Sequence, residues 1–437
     1  MAEGERVTER AAEENTGEQV RPADGERSFQ RLLAGTAVSA VGDGMYNTAL
    51  PLLTADLTRQ PLAVSAVYAA GWVPWVLFSL VAGAIVDRVD RRRVMWMTDA
   101  TRCLLVATIA VTVPAGVGGV WLLVGVAFLL GVGQTLFDTA SQVLLPSLVS
   151  RDQTRLERAN GKVTMAILGG QQFAGPPLGG ALFALARPLP FVGDAVSFAL
   201  SSVLARSVRG RFRPDRGPEP AGVVSSIAEG VRWLWGNRLL RLLALMVTGM
   251  NVATGAALSL LVLFAQDVLH LGDVGYGLLM AALSVGGALA WPVMPALRRR
   301  VGVGNLLTGL FLGSGALLLA VGLSSDLWVV ATCVVLLGAP VVMWNVVTVS
   351  LRQMIVPDHL FGRVNSIYKM VGMGGIPIGA VAGGVLAGRF GLHAPFLAAA
   401  ALLLLVGVVT RAPLMRDLTG LPGLPGTAED TAEDGGA

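Results

Sequence analysis

Long apolar runs recur along this chain with only short polar breaks between them. A helical bilayer crossing needs about 20 apolar residues. Twelve stretches read as crossings: about 31–56, 62–86, 93–114, 119–146, 159–185, 190–206, 240–265, 274–297, 302–323, 327–350, 364–388 and 394–411. The sixth is the shortest. Hydrocarbon offers no partner to a free backbone N–H or C=O, so such runs cross as helices. Charged residues make up 14% of the sequence, against roughly 25% in soluble domains. The expected fold class is all-α and integral to the membrane.

The polar breaks alternate in character. Those after the second, fourth, sixth, eighth and tenth runs carry nearly all the arginine, and the opposite set holds little beyond Arg59, Arg187 and Arg389. By the positive-inside rule the arginine-rich loops and both termini face the cytoplasm. Residues 1–29 are polar, lack an apolar signal-peptide core, and read as a disordered cytoplasmic tail. Residues 413–437 read the same way. The segment 207–238 divides the chain into bundles 30–206 and 239–412. Its second part fits either a plain linker or an amphipathic surface helix bearing Trp233 and Trp235.

The two halves repeat each other. Asn160 precedes Gly169, Gly170, Gly179 and Gly180; Asn365 precedes Gly374, Gly375, Gly383 and Gly384. Gln142-x-x-x-Pro146 returns as Gln353-x-x-x-Pro357. Twelve transmembrane helices in two pseudo-symmetric six-helix bundles are therefore expected, with any binding site between them.

Between the second and third runs lies Gly83-x-x-x-Asp87-Arg88-x-Asp90-Arg91-Arg92. This resembles the loop signature of the major facilitator superfamily, whose pattern has Gly where this chain has Asp90. Gly175-Pro176-x-x-Gly179-Gly180 resembles the core of the antiporter motif in that family's drug/proton exporters; the fuller motif has Gly where Gln171 stands. Ser39–Asp43, Leu156–Gly161 and Phe361–Ser366 resemble the branch of enterobactin exporters and macrolide-type drug efflux proteins. The resemblance implies alternating access, proton antiport and export of an amphiphilic organic compound, with uptake as the alternative. It also implies a cytoplasmic latch in which Asp138 meets the loop arginines Arg88 and Arg91, with Asp87 facing the start of the eleventh helix. The working unit is expected to be a monomer without a cofactor.

Polar residues inside the runs mark candidate sites. Thr36, Ser39, Asp43, Asn47 and Thr54 form one stripe on the first helix. Asp43 lies about twelve residues in, roughly 18 Å at 1.5 Å per residue, near the midplane. A carboxylate there costs several kcal/mol unless solvated, paired or protonated. It is thus a candidate proton-coupling group; the alternative is a structural acid bonded to nearby backbone. Asp99 and Arg102, candidates for the same proton-coupling site, share a helix face and suit an intrahelical pair, or Arg102 reaches Asp43 or an anionic substrate group. Ser39, Asn47, Gln134, Gln171, Gln172, Asn251, Asn345 and Thr348 are candidate cavity groups, and Trp72, Trp75, Trp291 and Trp344 suit the cavity wall or packing. Asp99 and Asp194 stand next in line as coupling acids.

Other classes find little support. Three histidines and two cysteines are scattered and frame no metal site or disulfide. Asp87 and Asp90, the one close acid pair, sit among arginines, which opposes the Mg²⁺ cluster of a membrane prenyltransferase. Gly161-Lys162 lacks the glycine spacing of a nucleotide-binding loop.

Overall fold

A computed structural model describes residues 22–86, 88–149, 153–208 and 223–418. The described residues are almost entirely helical, and no strand occurs among them. The helices of the first half are α1 (Pro22–Leu57), α2 (Pro61–Val86), α3 (Arg91–Thr112), α4 (Val120–Leu148), α5 (Gln153–Ile167), α6 (Gly175–Leu185) and α7 (Leu189–Arg206). Then come the surface helix α8 (Val223–Gly236) and, in the second half, α9 (Arg238–Leu258), α10 (Asp273–Val301), α11 (Val303–Leu323), α12 (Leu327–Ile355), α13 (Asp358–Phe390) and α14 (Ala394–Leu418). Ten of these elements are long and apolar enough to cross a membrane. The stretches 22–57 and 153–185 fall outside that group. The first carries the polar stripe, and the second is broken by a π-helical turn, Leu168–Ala174.

Local chemistry sets the boundaries. Pro61 opens α2, where a missing N–H costs nothing. Asp90 caps α3, its carboxylate accepting from the Arg93 N–H at 3.1 Å. An acid where the loop signature has Gly therefore has a structural task here. Asn237 and Asp326 cap α9 and α12 in the same way. Gly302, at φ +74°, turns the chain from α10 into α11, a conformation that suits only glycine. Pro22 opens α1 inside the segment read as tail, and α14 runs through Pro413 to Leu418. Both helices are thus longer than their apolar cores. Within 207–238 the amphipathic helix forms, and Arg363 pairs with its Glu229; 209–222 lie outside the described residues.

The repeated glycines explain how the halves are built and how they meet. In the first half, Gly170 and Gly179 lie against the α1 backbone at Ala40–Val41 and Met45; in the second, Gly375 and Gly383 lie against α9 at Thr248 and Ala256. The last glycine of each repeat instead faces the other half. Gly180 abuts Asp273 of α10, and Gly384 abuts Leu62 and Ser65 of α2. Small residues at these crossings let helix backbones approach closely. At the same end Arg59 reaches Gln266 at 2.8 Å and Asp267 at 3.1 Å on a second π-helical turn, Phe264–Val268. Contact between the halves is thus closed at the end opposite the arginine-rich loops.

A leucine at Gly180 would wedge this closed end apart. Overpacking typically costs 1–3 kcal/mol. Gly180→Leu should therefore lower the yield of bifunctional cross-linking between cysteines placed at Arg59 and Asp267; an unchanged yield would mean that the glycine contact does not hold the end shut.

Candidate functional site

The polar stripe on α1 meets the buried charges of α3 at one level. Arg102 Nη2 donates to Asp43 Oδ1 at 2.6 Å and to Gln134 Oε1 at 2.5 Å. Its Nη1 reaches Asp99 Oδ1 at 3.5 Å, so the guanidinium serves both acids. Phe198 lies under it, 3.9 Å from ring centroid to guanidinium carbon. Ser201 donates to the other oxygen of Asp99 at 2.6 Å. Gln134 extends the chain, its Nε2 donating to both oxygens of Asp138 at 3.0 Å. Asp43, Arg102, Gln134 and Asp138 thus form one connected network. Asp99 and Arg102 are buried, whereas the Asp43 side chain keeps 14% of its surface exposed.

This network separates two cavities. One, about 310 Å³, is lined only by the first half, with Thr36, Ser39, Gln142 and Asn160 toward the arginine-rich end. The other, about 470 Å³, is lined by both halves and holds Asn47, Thr54, Tyr68, Trp72, Trp75, Ser259, Tyr276 and Met280. Asp43, Arg102, Gln134, Asp138 and Gln171 border both. The stripe divides accordingly: Thr36 and Ser39 serve the smaller cavity, Asn47 and Thr54 the larger, and Asp43 both.

Several expected positions differ. Asp138 lies ten residues before the end of α4, about 15 Å at 1.5 Å per residue. That is the level of Arg102, deeper than the loop. No ion pair joins it to Arg88 or Arg91 in this conformation among the described residues. Asp87 lies outside the described residues. Arg92 instead clamps the end of α7, donating to the Val208 carbonyl at 2.8 Å. Arg88 is exposed, Arg91 half-buried, and a side chain at Gly83 would meet open space. Gln172 is exposed and borders neither cavity, because the π turn gives its place to Gln171.

The second half contributes different residues from those expected. Asn251 donates to the Gly372 carbonyl at 2.8 Å and holds α9 to α13. Asn345 bonds its own helix at Val341, and buried Thr348 bonds Trp344. Trp344 packs on Phe311, and Trp291 is exposed. A polar residue in a span often satisfies a neighbouring carbonyl, and sequence spacing does not separate that from a cavity position. Gly175, Pro176 and Gly179 are buried against α1 or α10: a Cβ at Gly175 would meet Gly44, one at Gly179 would meet the Met45 backbone, and the Pro176 carbonyl faces Gly277. Tyr46, Tyr68, Phe198 and Tyr276 were missed as wall residues, since aromatic residues in apolar runs look alike whether they pack or line a void.

Comparison with known proteins agrees with this architecture. The family described as "Transmembrane secretion effector" matches residues 25–419. Multidrug efflux pump Tap of Mycolicibacterium fortuitum is 31% identical over 404 residues, covering 89% of this chain and 96% of the pump. Among solved structures, a bacterial homologue of the iron transporter ferroportin in its inward-facing state superposes with TM-score 0.66 at 21% identity, over 88% of this chain and 99% of that one. An outward-facing structure of such a homologue gives 0.59 at 21% identity, over 90% and 99%. At these identities the structural likeness concerns the fold. A family match across nine-tenths of the sequence, on an all-helical membrane fold with a polar centre between two halves, places the chain: it belongs to the transmembrane secretion effector family of the major facilitator superfamily, and is a multi-pass membrane transporter, not an enzyme.

Proposed function

We propose that this chain exports a small amphiphilic organic compound in exchange for protons. The observation that carries the reading is the Asp43–Arg102 pair, which borders two cavities lying on opposite sides of it. A carboxylate so placed takes a proton from one side and yields it to the other without crossing hydrocarbon as an anion. The efflux activity named for the Tap relative supports the outward direction of cargo. The two stretches 22–57 and 153–185 complete twelve crossings, and one chain holding both halves works as a monomer. The arginine-rich loop 83–93 acts as a latch in the opposite conformation, when its own end closes and Asp138 leaves Gln134.

The better superposition on an inward-facing neighbour supports an orientation in which the closed end faces outward. The arginine bias puts both termini in the cytoplasm. Reporter fusions after Arg93, Lys162 and Arg300 should all report cytoplasm; one clear external signal among them would break this topology. For the function itself, inverted membrane vesicles carrying the protein should accumulate an amphiphilic antibiotic from a panel when a pH gradient is imposed, and lose it when the gradient is collapsed. Accumulation only in right-side-out vesicles would mean uptake.

A further inference from the structure

The two cavities beside Asp43 differ in chemistry. The larger is walled mainly by apolar and aromatic side chains. The smaller is walled by hydroxyls and amides: Thr36, Ser39, Ser141, Gln142, Asn160 and Thr164. Two of these groups are buried and incompletely bonded. Thr36 is 5% exposed, and its hydroxyl has no protein partner. Ser39 donates to the Thr36 carbonyl at 3.2 Å, which leaves its own oxygen free to accept. A buried hydroxyl without a partner is costly, and in native proteins a bridging water commonly answers it. Thr36, Ser39 and Asp43 follow one another at spacings of three and four on one face of α1. They span roughly 10 Å along the helix toward the arginine-rich end. Gln142, Asn160 and Thr164 are exposed and form the rim there. The other charged groups near Asp43 are engaged or face elsewhere. Arg102 holds Asp43, Asp99 and Gln134, and Gln134 holds both oxygens of Asp138. Asp99 borders neither of these cavities, and Asp194 and Tyr46 border only the larger.

We infer that the smaller cavity is a water-filled proton route between Asp43 and the cytoplasm, separate from the path of the cargo. The inference rests on Asp43 exchanging the proton, as proposed above. A polar cavity of about 310 Å³ has room for several waters. The Asp43 carboxyl gives its proton to the nearest of them. Its O–H bond breaks as that water gains one, and the carboxylate left behind pairs with Arg102. The excess proton then passes from water to water, with the Ser39 and Thr36 hydroxyls accepting and donating in turn, to the exposed rim. Cargo meanwhile fills the larger cavity, on the other side of the same pair. Loading of cargo and release of the proton thus need no common passage, and cargo seated against Asp43 does not seal the proton in. The rim lies at the end that closes in the opposite conformation, so the route is shut whenever Asp43 faces outward.

Infrared detection of hydrogen–deuterium exchange at the Asp43 carboxyl tests this without requiring transport. The full-length protein in nanodiscs is acidified until a carboxyl C=O band appears and is then mixed with D₂O at matched acidity; the band that Asp43→Asn removes belongs to Asp43. Asn47 borders only the larger cavity. Asn47→Cys, in a background whose native cysteines are replaced, is labelled with benzophenone maleimide to fill that cavity in place of cargo. Labelled protein should exchange as fast as unlabelled protein. In labelled protein, Thr36→Val together with Ser39→Ala should slow exchange at least about tenfold, the scale of one lost hydrogen bond, and Thr36→Ser alone should keep it fast. Exchange that stops on labelling alone, or that stays fast in the labelled double variant, would overturn the separate route. Should the double variant fail to assemble, the effect of the label decides alone. Absence of any Asp43 band at acid pH would sink the antiport reading and the route with it, whereas a band whose exchange the label blocks sinks the route alone.

Discussion

Asp43→Asn should hold cargo yet lose all concentrating power. In inverted vesicles with a one-unit pH gradient, exchange of one proton per cargo molecule sustains an accumulation ratio of about tenfold. In the variant that ratio should fall to about one, while downhill equilibration continues. The amide keeps the shape of the protonated acid and still accepts from Arg102, so the 2.6 Å contact to Arg102 need not collapse. What it removes is the ability to bind and release a proton. Measuring the steady-state ratio with and without the gradient separates coupling from passage. A variant that accumulates cargo as wild type does would make Asp43 structural and move coupling to Asp99 or Asp194.

Arg102→Met should cost more stability than any other single change in the network. Its guanidinium is 4% exposed and opposes Asp43 and Asp99 together. Removing one partner of a buried ion pair typically costs 3–5 kcal/mol, because the remaining charge is stranded. Here two carboxylates are stranded, and Phe198 loses the cation above its ring. The thermal midpoint in detergent should drop sharply, and transport should vanish. Adding Asp43→Asn to Arg102→Met should recover part of the stability but none of the coupled transport. A single variant that melts like wild type would show that the pair contributes little to the folded state.

Much of the fold could be read from the sequence, because hydrocarbon imposes few solutions. Apolar length, arginine-bearing loops and the glycine repeat each reported a physical constraint, and the same glycines proved to seat helices within a half or against the other half. The site was legible where charge was expensive. Asp43, Asp99 and Arg102 stand out because few explanations exist for ions at such depth. It was not legible where residues are cheap to bury. Asn251 and Thr348 look like cavity donors in the sequence and serve helix carbonyls in the structure, while Tyr46 and Tyr276 look like core and border the larger cavity. The family pattern assigns Asp138 to the loop arginines, whereas in this conformation Gln134, one turn away on α4 and itself bonded to Arg102, occupies both of its oxygens. The π turn at Leu168–Ala174 decides between Gln171 and Gln172, and an extra residue per turn leaves no mark on spacing read at 3.6.

The central claim is that one buried pair is reached alternately from two sides, and accessibility of its two flanks tests that most directly. Ser39 borders only the smaller cavity and Asn47 only the larger. In a variant whose two native cysteines are replaced, Asn47→Cys should react with a membrane-impermeant thiol reagent from either side, the outside rate falling when conditions raise the cytoplasmic one, and Ser39→Cys from the cytoplasmic side alone. Reaction of Asn47→Cys from one side only, or from both sides with rates that rise and fall together, would contradict alternating access at Asp43 and Arg102.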